Sequence, residues 1–188
     1  MKKSPYQTKN WLEFLRKTDE ELLAFCRIDV YKATGHGGQK KNKTSNAIRL
    51  VLSHLSVYES KSRSKNENLK GAIKKMRFAI ATDDSNFLQN RVQLPEAPEE
   101  ITPYLNKSEI RINPKNEKFP IFLGYLMNSI IKNEGSWHKV GEDFGTSATQ
   151  IRRFVEKTPG ISRFVTQIKE KQKKIKLASS LPADVSAS

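Results

Sequence analysis

Apolar and polar residues alternate with a period of two in three short runs between residues 26 and 60, then switch to helical spacing. Cys26-Arg27-Ile28-Asp29-Val30-Tyr31 has the period of a half-buried strand. Asn46-Ala47-Ile48-Arg49-Leu50-Val51-Leu52 puts Ile48, Leu50 and Leu52 on one face, and Leu55-Ser56-Val57-Tyr58-Glu59-Ser60 aligns Leu55 with Val57. Only Ser53 and His54 separate these two runs, which predicts an antiparallel hairpin. Over residues 65–82 the apolar positions Leu69, Ala72, Ile73, Met76, Ala79 and Ile80 form one stripe, so an amphipathic helix should cover one face of the sheet. Its cations Lys70, Lys74, Lys75 and Arg77 lie largely off that stripe, as a solvated face or as RNA contacts.

Upstream, Thr18-Asp19-Glu20-Glu21 has the form of a capping box, and Leu22, Leu23 and Phe25 follow as a short helix. Glu20 and Glu21 are read as helix-start residues rather than as a catalytic pair. Trp11, Phe14 and Leu15 suggest an earlier turn or helix over residues 10–16. Residues 92–120 read as a linker with little core, punctuated by Pro95, Pro98, Pro103, Pro114 and Pro120, with Ile110 and Ile112 as a possible edge strand. Helical spacing resumes at residues 121–133, again around Trp137, Val140 and Phe144, then at Ile151, Phe154 and Val155, and last from Ile161 through Ile168. The final dozen residues, rich in Ser and Ala, read as disordered. The expected architecture is α+β: a small mixed or antiparallel sheet packed by an amphipathic helix, then a small helical bundle. The expected divisions are a first domain at 1–90, a linker at 91–118, a helical module at 119–178 and a tail at 179–188.

Charge adds a partner to this picture. The 188 residues carry 34 Lys+Arg against 20 Asp+Glu, a formal net charge of +14. Such an excess points to a polyanion, with nucleic acid ahead of an anionic membrane surface. Basic stretches at 1–90 and 119–188 flank a neutral one at 91–118. No apolar run approaches the roughly 18 to 20 residues that a membrane span needs. No apolar segment follows Met1-Lys2-Lys3, so a signal peptide is not expected. The single cysteine, Cys26, leaves no intrachain disulfide and no cysteine-based metal cluster. It reads as a small core residue, in keeping with a reducing compartment. The expected location is the cytoplasm, with a mitochondrial one left open, and no metal or cofactor is expected.

Between the first two strands lies Gly35-His36-Gly37-Gly38-Gln39-Lys40-Lys41-Asn42-Lys43-Thr44. Glycine reaches backbone conformations closed to other residues and allows close approach to a ligand. A P-loop needs four residues between its first glycine and Gly-Lys-Ser/Thr, and opens a helix. Here Gln39 follows the last glycine and a strand comes next, which also removes the dinucleotide fingerprint.

Gly35-x-Gly37-Gly38-Gln39-x-x-Asn42-Lys43-Thr44 resembles the signature loop of class I peptide chain release factors. Arg63-Ser64, followed by Asn68, resembles the Arg-Ser-Gln-x-x-Asn segment after the third strand of their catalytic domain. The order strand, loop, strand, strand, helix is similar as well. The resemblance covers about residues 18–82. It implies ribosome-dependent hydrolysis of the ester joining peptide to P-site tRNA, with the large-subunit peptidyl transferase rRNA and peptidyl-tRNA as partners. Gly37 and Gly38 would give the backbone path, and the backbone N–H of Gln39 would stabilise the developing oxyanion or departing ribose hydroxyl. The Gln39 side chain would orient water, and in the family it can be N-methylated. Gly35, His36, Lys40, Lys41, Asn42, Lys43, Thr44, Arg63, Ser64 and Asn68 would support the loop or contact rRNA.

The chain departs from the family pattern at His36, at Lys40 and Lys41, and at Lys65, where glutamine is usual. Neither Pro-x-Thr nor Ser-Pro-Phe, the tripeptides of codon-reading domains, is present. The similarity is therefore to truncated relatives that rescue stalled ribosomes without reading a codon, here as a monomer. The alternative is a ribosome- or RNA-binding protein that keeps the frame but has lost hydrolysis. The short lysine run at 169–176 is unlike the basic tail of one such relative. Gly145-Thr146-Ser147 resembles a helix-turn-helix turn, with a plain helical bundle as the alternative. Arg152, Arg153, Lys169, Lys171, Lys173 and Lys174 are candidate RNA contacts of this module, whose partner is rRNA, tRNA on a split large subunit, or a helper protein.

Overall fold

A computed structural model describes residues 10–32, 46–83, 96–158 and 161–180. The chain separates into two compact units, Met1–Asn86 and Phe87–Ser188.

In the first unit, α1 (Trp11–Arg16) and α2 (Asp19–Ala24) precede β1 (Arg27–Tyr31), β2 (Ala47–Leu52), β3 (Leu55–Glu59) and α3 (Lys65–Ala81). The box at the start of α2 closes in both directions: Glu21 N–H donates to Thr18 Oγ1, and Thr18 N–H donates to Glu21 Oε2 at 2.8 Å. The sheet is antiparallel throughout, in the order β1-β2-β3. Pairing of Leu52 with Leu55 leaves Ser53-His54 as a two-residue turn. Ser53 takes the positive φ of 56° that tight hairpin turns need.

α3 packs across β3 and β2, where Ile48, Leu50 and Leu52 meet Ala72, Ile73, Met76 and Ile80, all buried. Trp11, Phe14 and Leu22 complete the core. β1 departs from the half-buried expectation. Ile28 and Val30 pair with Leu50 and Ile48 and so share the helix-covered face, yet they stay 42% and 41% exposed. The reason is reach: the helix lies over β2 and β3, and β1 is the edge strand farthest from it.

In the second unit, residues 96–118 contribute more core than a linker would: Ile101, Leu105 and Ile112 are buried. A 3-10 segment spans Glu99–Tyr104, and no strand forms at Ile110 and Ile112. α4 (Phe119–Lys132) starts earlier than its apolar spacing suggests, with Pro120 in its first turn, where a missing N–H costs nothing. It is the central helix. Phe122 stands edge-on to Phe144 and Phe154, with centroids 5.3 Å away in each case. α5 (Trp137–Phe144), α6 (Ala148–Lys157) and α7 (Ile161–Ser180) surround it. α7 continues to Ser180, four residues into the stretch expected to be disordered.

Candidate catalytic loop and its support

Tyr31 pairs with Ala47 at the last rung between β1 and β2. The intervening chain therefore leaves and re-enters the sheet at adjacent points. Gly35, His36, Gly37, Gly38, Gln39, Lys40, Lys41, Asn42, Lys43 and Thr44 lie outside the described residues. What the structure describes is the support on which that stretch stands.

Asn68 is the centre of that support. It sits in the first turn of α3 and is 1% exposed. Its Nδ2 donates to the carbonyl of Asn46 at 2.7 Å and to that of Ser62 at 2.8 Å, while its Oδ1 accepts from Ser62 N–H at 2.8 Å. Asn46 Nδ2 in turn donates to the Arg63 carbonyl at 2.6 Å. One buried amide thus ties the residue that opens β2 to the segment that opens α3. Ser64 caps the helix by accepting from Glu67 N–H, and its own N–H donates to Ser62 Oγ at 3.0 Å. The Arg63 side chain is exposed. Within the Arg63-Ser64…Asn68 segment, then, Ser64 and Asn68 hold backbone, while Arg63 offers an outward cation.

A second anchor joins α3 to β3. Glu59 is buried, and its Oε1 accepts from the N–H groups of Ser60 and Lys61 while its Oε2 faces Lys75 Nζ at 3.1 Å. Burial pushes its carboxyl up, but the Lys75 ammonium and the two amides outweigh that and hold it below the usual 4.5. Gly71 lies directly above: a Cβ there would come within 2.9 Å of Glu59 Cγ. Lys75 is therefore committed to the fold. Arg77 is committed as well, donating to the carbonyls of Leu15 and Lys17 and pairing with Asp19 at 2.9 Å. Lys70 and Lys74 remain exposed on the helix.

On the sheet face away from α3, Arg49 Nε donates to Asp29 at 2.7 Å, and this bond is the main cause of the lowered Asp29 carboxyl. Tyr31 and Tyr58 stand edge to face on the same side, 6.5 Å apart. Cys26 is half-buried, and desolvation pushes its thiol up to about 11, away from nucleophile chemistry. Among the described residues no group of His, Cys, Asp or Glu side chains could hold a metal ion, and no helix is long and apolar enough to cross a membrane.

In the second unit, Arg152 and Arg153 lie exposed on α6, and Lys171, Lys173 and Lys174 lie exposed on α7. Lys169 differs from the others: its Nζ sits 3.7 Å from the centre of the Trp137 ring. The clamps formed by Asn46, Ser62, Glu59 and Arg77 were not foreseen in the sequence. Only the asparagine and serine of the second motif marked their neighbourhood.

These features define a small α+β domain in which a hydrogen-bonded base holds the point where the chain re-enters the sheet between β1 and β2. The family model of the RF-1 domain, the release-factor domain that carries Gly-Gly-Gln, matches residues 23–118, and the chain belongs to this family. RF-1 domain proteins act on the ribosome with peptidyl-tRNA, and membership implies ribosome-dependent peptidyl-tRNA hydrolysis. The match extends beyond the residues 18–82 that carried the resemblance in sequence, through the stretch expected to be a linker. No curated protein and no solved structure matches the chain.

Proposed function

We propose that this protein releases nascent peptide from stalled ribosomes by hydrolysing the peptidyl-tRNA ester without reading a stop codon. The observation that carries the reading is Gly37-Gly38-Gln39 in the connection between β1 and β2 of an RF-1 domain, a connection whose return end is tied down by Asn68. Water attacks the ester carbonyl carbon, the bond to the terminal ribose oxygen breaks, and that oxygen leaves with a proton as a hydroxyl. The backbone N–H of Gln39 faces the charge that develops on oxygen, and the glycines before it allow the approach. Arg63, Lys40, Lys41 and Lys43 meet rRNA phosphates, and rRNA supplies the rest of the site. The protein acts as a monomer in the cytoplasm. Independence from a codon is supported by the absence of Pro-x-Thr and Ser-Pro-Phe, and the C-terminal helical unit packed around α4 takes on targeting.

Peptide release from purified stalled ribosomes tests this. We expect release on mRNA truncated at the P site with no stop codon, and a loss on the order of 10²–10³ in rate for Gln39→Pro, which removes the backbone donor. A requirement for a stop codon would overturn codon independence. Tight binding to large subunits with no release by the natural protein would favour the second reading, a binding protein without hydrolysis, for which the departures at His36 and Lys41 leave room.

A further inference from the structure

α5 and α6 form a helix-turn-helix in which two glycines are obligatory. Gly145 ends α5 in the left-handed region, at φ 60°, and its Cβ position is occupied by Asn106. Gly141 lies one turn earlier, where a Cβ would come within 2.6 Å of the Thr146 carbonyl oxygen. The turn is therefore pressed against the first helix. Ser147 then caps α6 by accepting from Gln150 N–H. Val140, Phe144, Ile151, Phe154 and Val155 face inward, and the N–H of Asn106 donates to the Phe144 carbonyl at 2.9 Å, bracing the turn from outside. The outward face of α6 carries Thr149, Arg152, Arg153, Glu156 and Lys157, all exposed.

Cations flank this helix on both sides. Arg153 and Lys157 both act on the Glu109 carboxyl, whose main partner is Arg111 at 2.7 Å, so these three cations lie together. On the other flank Arg152 acts on Lys169, which is fixed over Trp137. Arg111, Arg152, Arg153, Lys157 and Lys169 thus gather around one exposed helix, with Glu109 and Glu156 among them. A helix of this length spans about 15 Å. A ridge with positive charge along both sides is complementary to a groove walled by phosphates.

We infer that α6 and its two cationic flanks form a docking surface for double-stranded RNA, with the helix lying on the wide, shallow minor groove and the cations meeting phosphates on both strands. Duplex RNA is preferred to duplex DNA because the choice rests on the ribosomal reading above. The minor groove of A-form RNA is open to a helix face and displays 2′-hydroxyls, whereas its major groove is closed to side chains. Thr149 and the two arginines supply the donors such a surface needs.

The test is fluorescence anisotropy of the full chain with a 20-base-pair RNA stem, the same stem as DNA, and one RNA strand alone, each across a range of salt. R152Q/R153Q should weaken binding to the RNA stem by about tenfold or more and reduce the slope of log affinity against log salt by about two, roughly one per phosphate contact. Lys157→Gln, on the other flank, should reduce it by about one. K107Q/K115Q removes the same charge from exposed positions elsewhere in the unit and should change affinity less than about twofold. If R152Q/R153Q loses no more than K107Q/K115Q, the surface is wrong. If the DNA stem or the single strand binds more tightly than the RNA stem, the choice of ligand is wrong. Gln39→Pro should slow release by about 10²–10³ and leave stem binding intact, so a failure of the hydrolase reading is separable from a failure of this one.

Discussion

Replacing Asn68 by alanine isolates the contribution of the loop base. The substitution removes three hydrogen bonds of 2.7 to 2.8 Å and leaves the carbonyls of Asn46 and Ser62 and the N–H of Ser62 without that partner. At a net value of about 1 kcal/mol each, the loss approaches about 3 kcal/mol. Asn46 and Ser62 are only half-buried, so water recovers part of it, and about 2 kcal/mol is expected. In a domain of this size that lowers the melting midpoint by roughly 10 °C. The functional loss should be larger than the stability loss suggests, because Asn46 is the point at which the loop rejoins the sheet. Misplacement of a catalytic group by about 1 Å can cost on the order of 10² in rate. Release by Asn68→Ala should therefore fall at least about tenfold at a temperature where the variant is still folded. Asn68→Asp keeps the acceptor for Ser62 but sets a second oxygen against two carbonyls, and should be no better than alanine. Urea unfolding and single-turnover release on stalled ribosomes read the two effects separately. Asn68→Ala with an unchanged urea midpoint and wild-type release would refute this account of the base.

Other consequences can be checked with simple variants. Gly141→Ala drives a methyl against the Thr146 carbonyl, which is backbone and cannot turn aside, so the variant should lose about 2 kcal/mol or more in thermal unfolding despite the better helix propensity of alanine. Glu59 binds a proton less readily when folded than when unfolded, so its stabilising contribution is complete above the ordinary carboxylate range and is lost as pH falls below about 4.5. Glu59→Gln should accordingly be less stable at pH 7 and show a flatter decline between pH 5 and 3 in urea midpoints. With its thiol at about 11 against an ordinary 9.0, Cys26 holds about one hundredth of the normal thiolate at pH 7.5, so alkylation by iodoacetamide should be slower than that of a free cysteine by about that factor and should rise steeply above pH 9.

The strands and the long helix were legible because each has one partner and one period. Ile48, Leu50 and Leu52 alternate, Ala72, Ile73, Met76 and Ile80 follow helical spacing, and the two patterns bury each other. β1 carries the same alternation as β2 but ends half-exposed, since periodicity records which residues share a face and not whether anything covers it. The core contribution of residues 92–120 was hidden for a related reason. Ile101, Leu105 and Ile112 are spaced by irregular turns, so their burial leaves no period in the sequence. Charge misled in one respect: Lys75 and Arg77 look like a solvated cationic face, and both spend their donors on backbone carbonyls and buried or neighbouring carboxylates. Only distance in sequence hid those partners, since Arg77 reaches back to Leu15.

The same contrast explains why the two proposed functional regions differ in how they can be read. A catalytic loop that works through a backbone donor leaves a mark in sequence only by its glycines and by the residues that hold its ends. The mark is short, but it is specific because Asn68 and Ser64 must fall at fixed places in the adjoining helix. A groove-binding helix leaves no such mark on its outward face, where any arrangement of cations will meet phosphate. Its signature lies in the inward residues instead: Gly141, which alone fits under the turn, and Gly145, which alone takes the left-handed bend without strain. Chemistry is therefore legible through the loop's supports, and docking through the turn that makes the helix stand out.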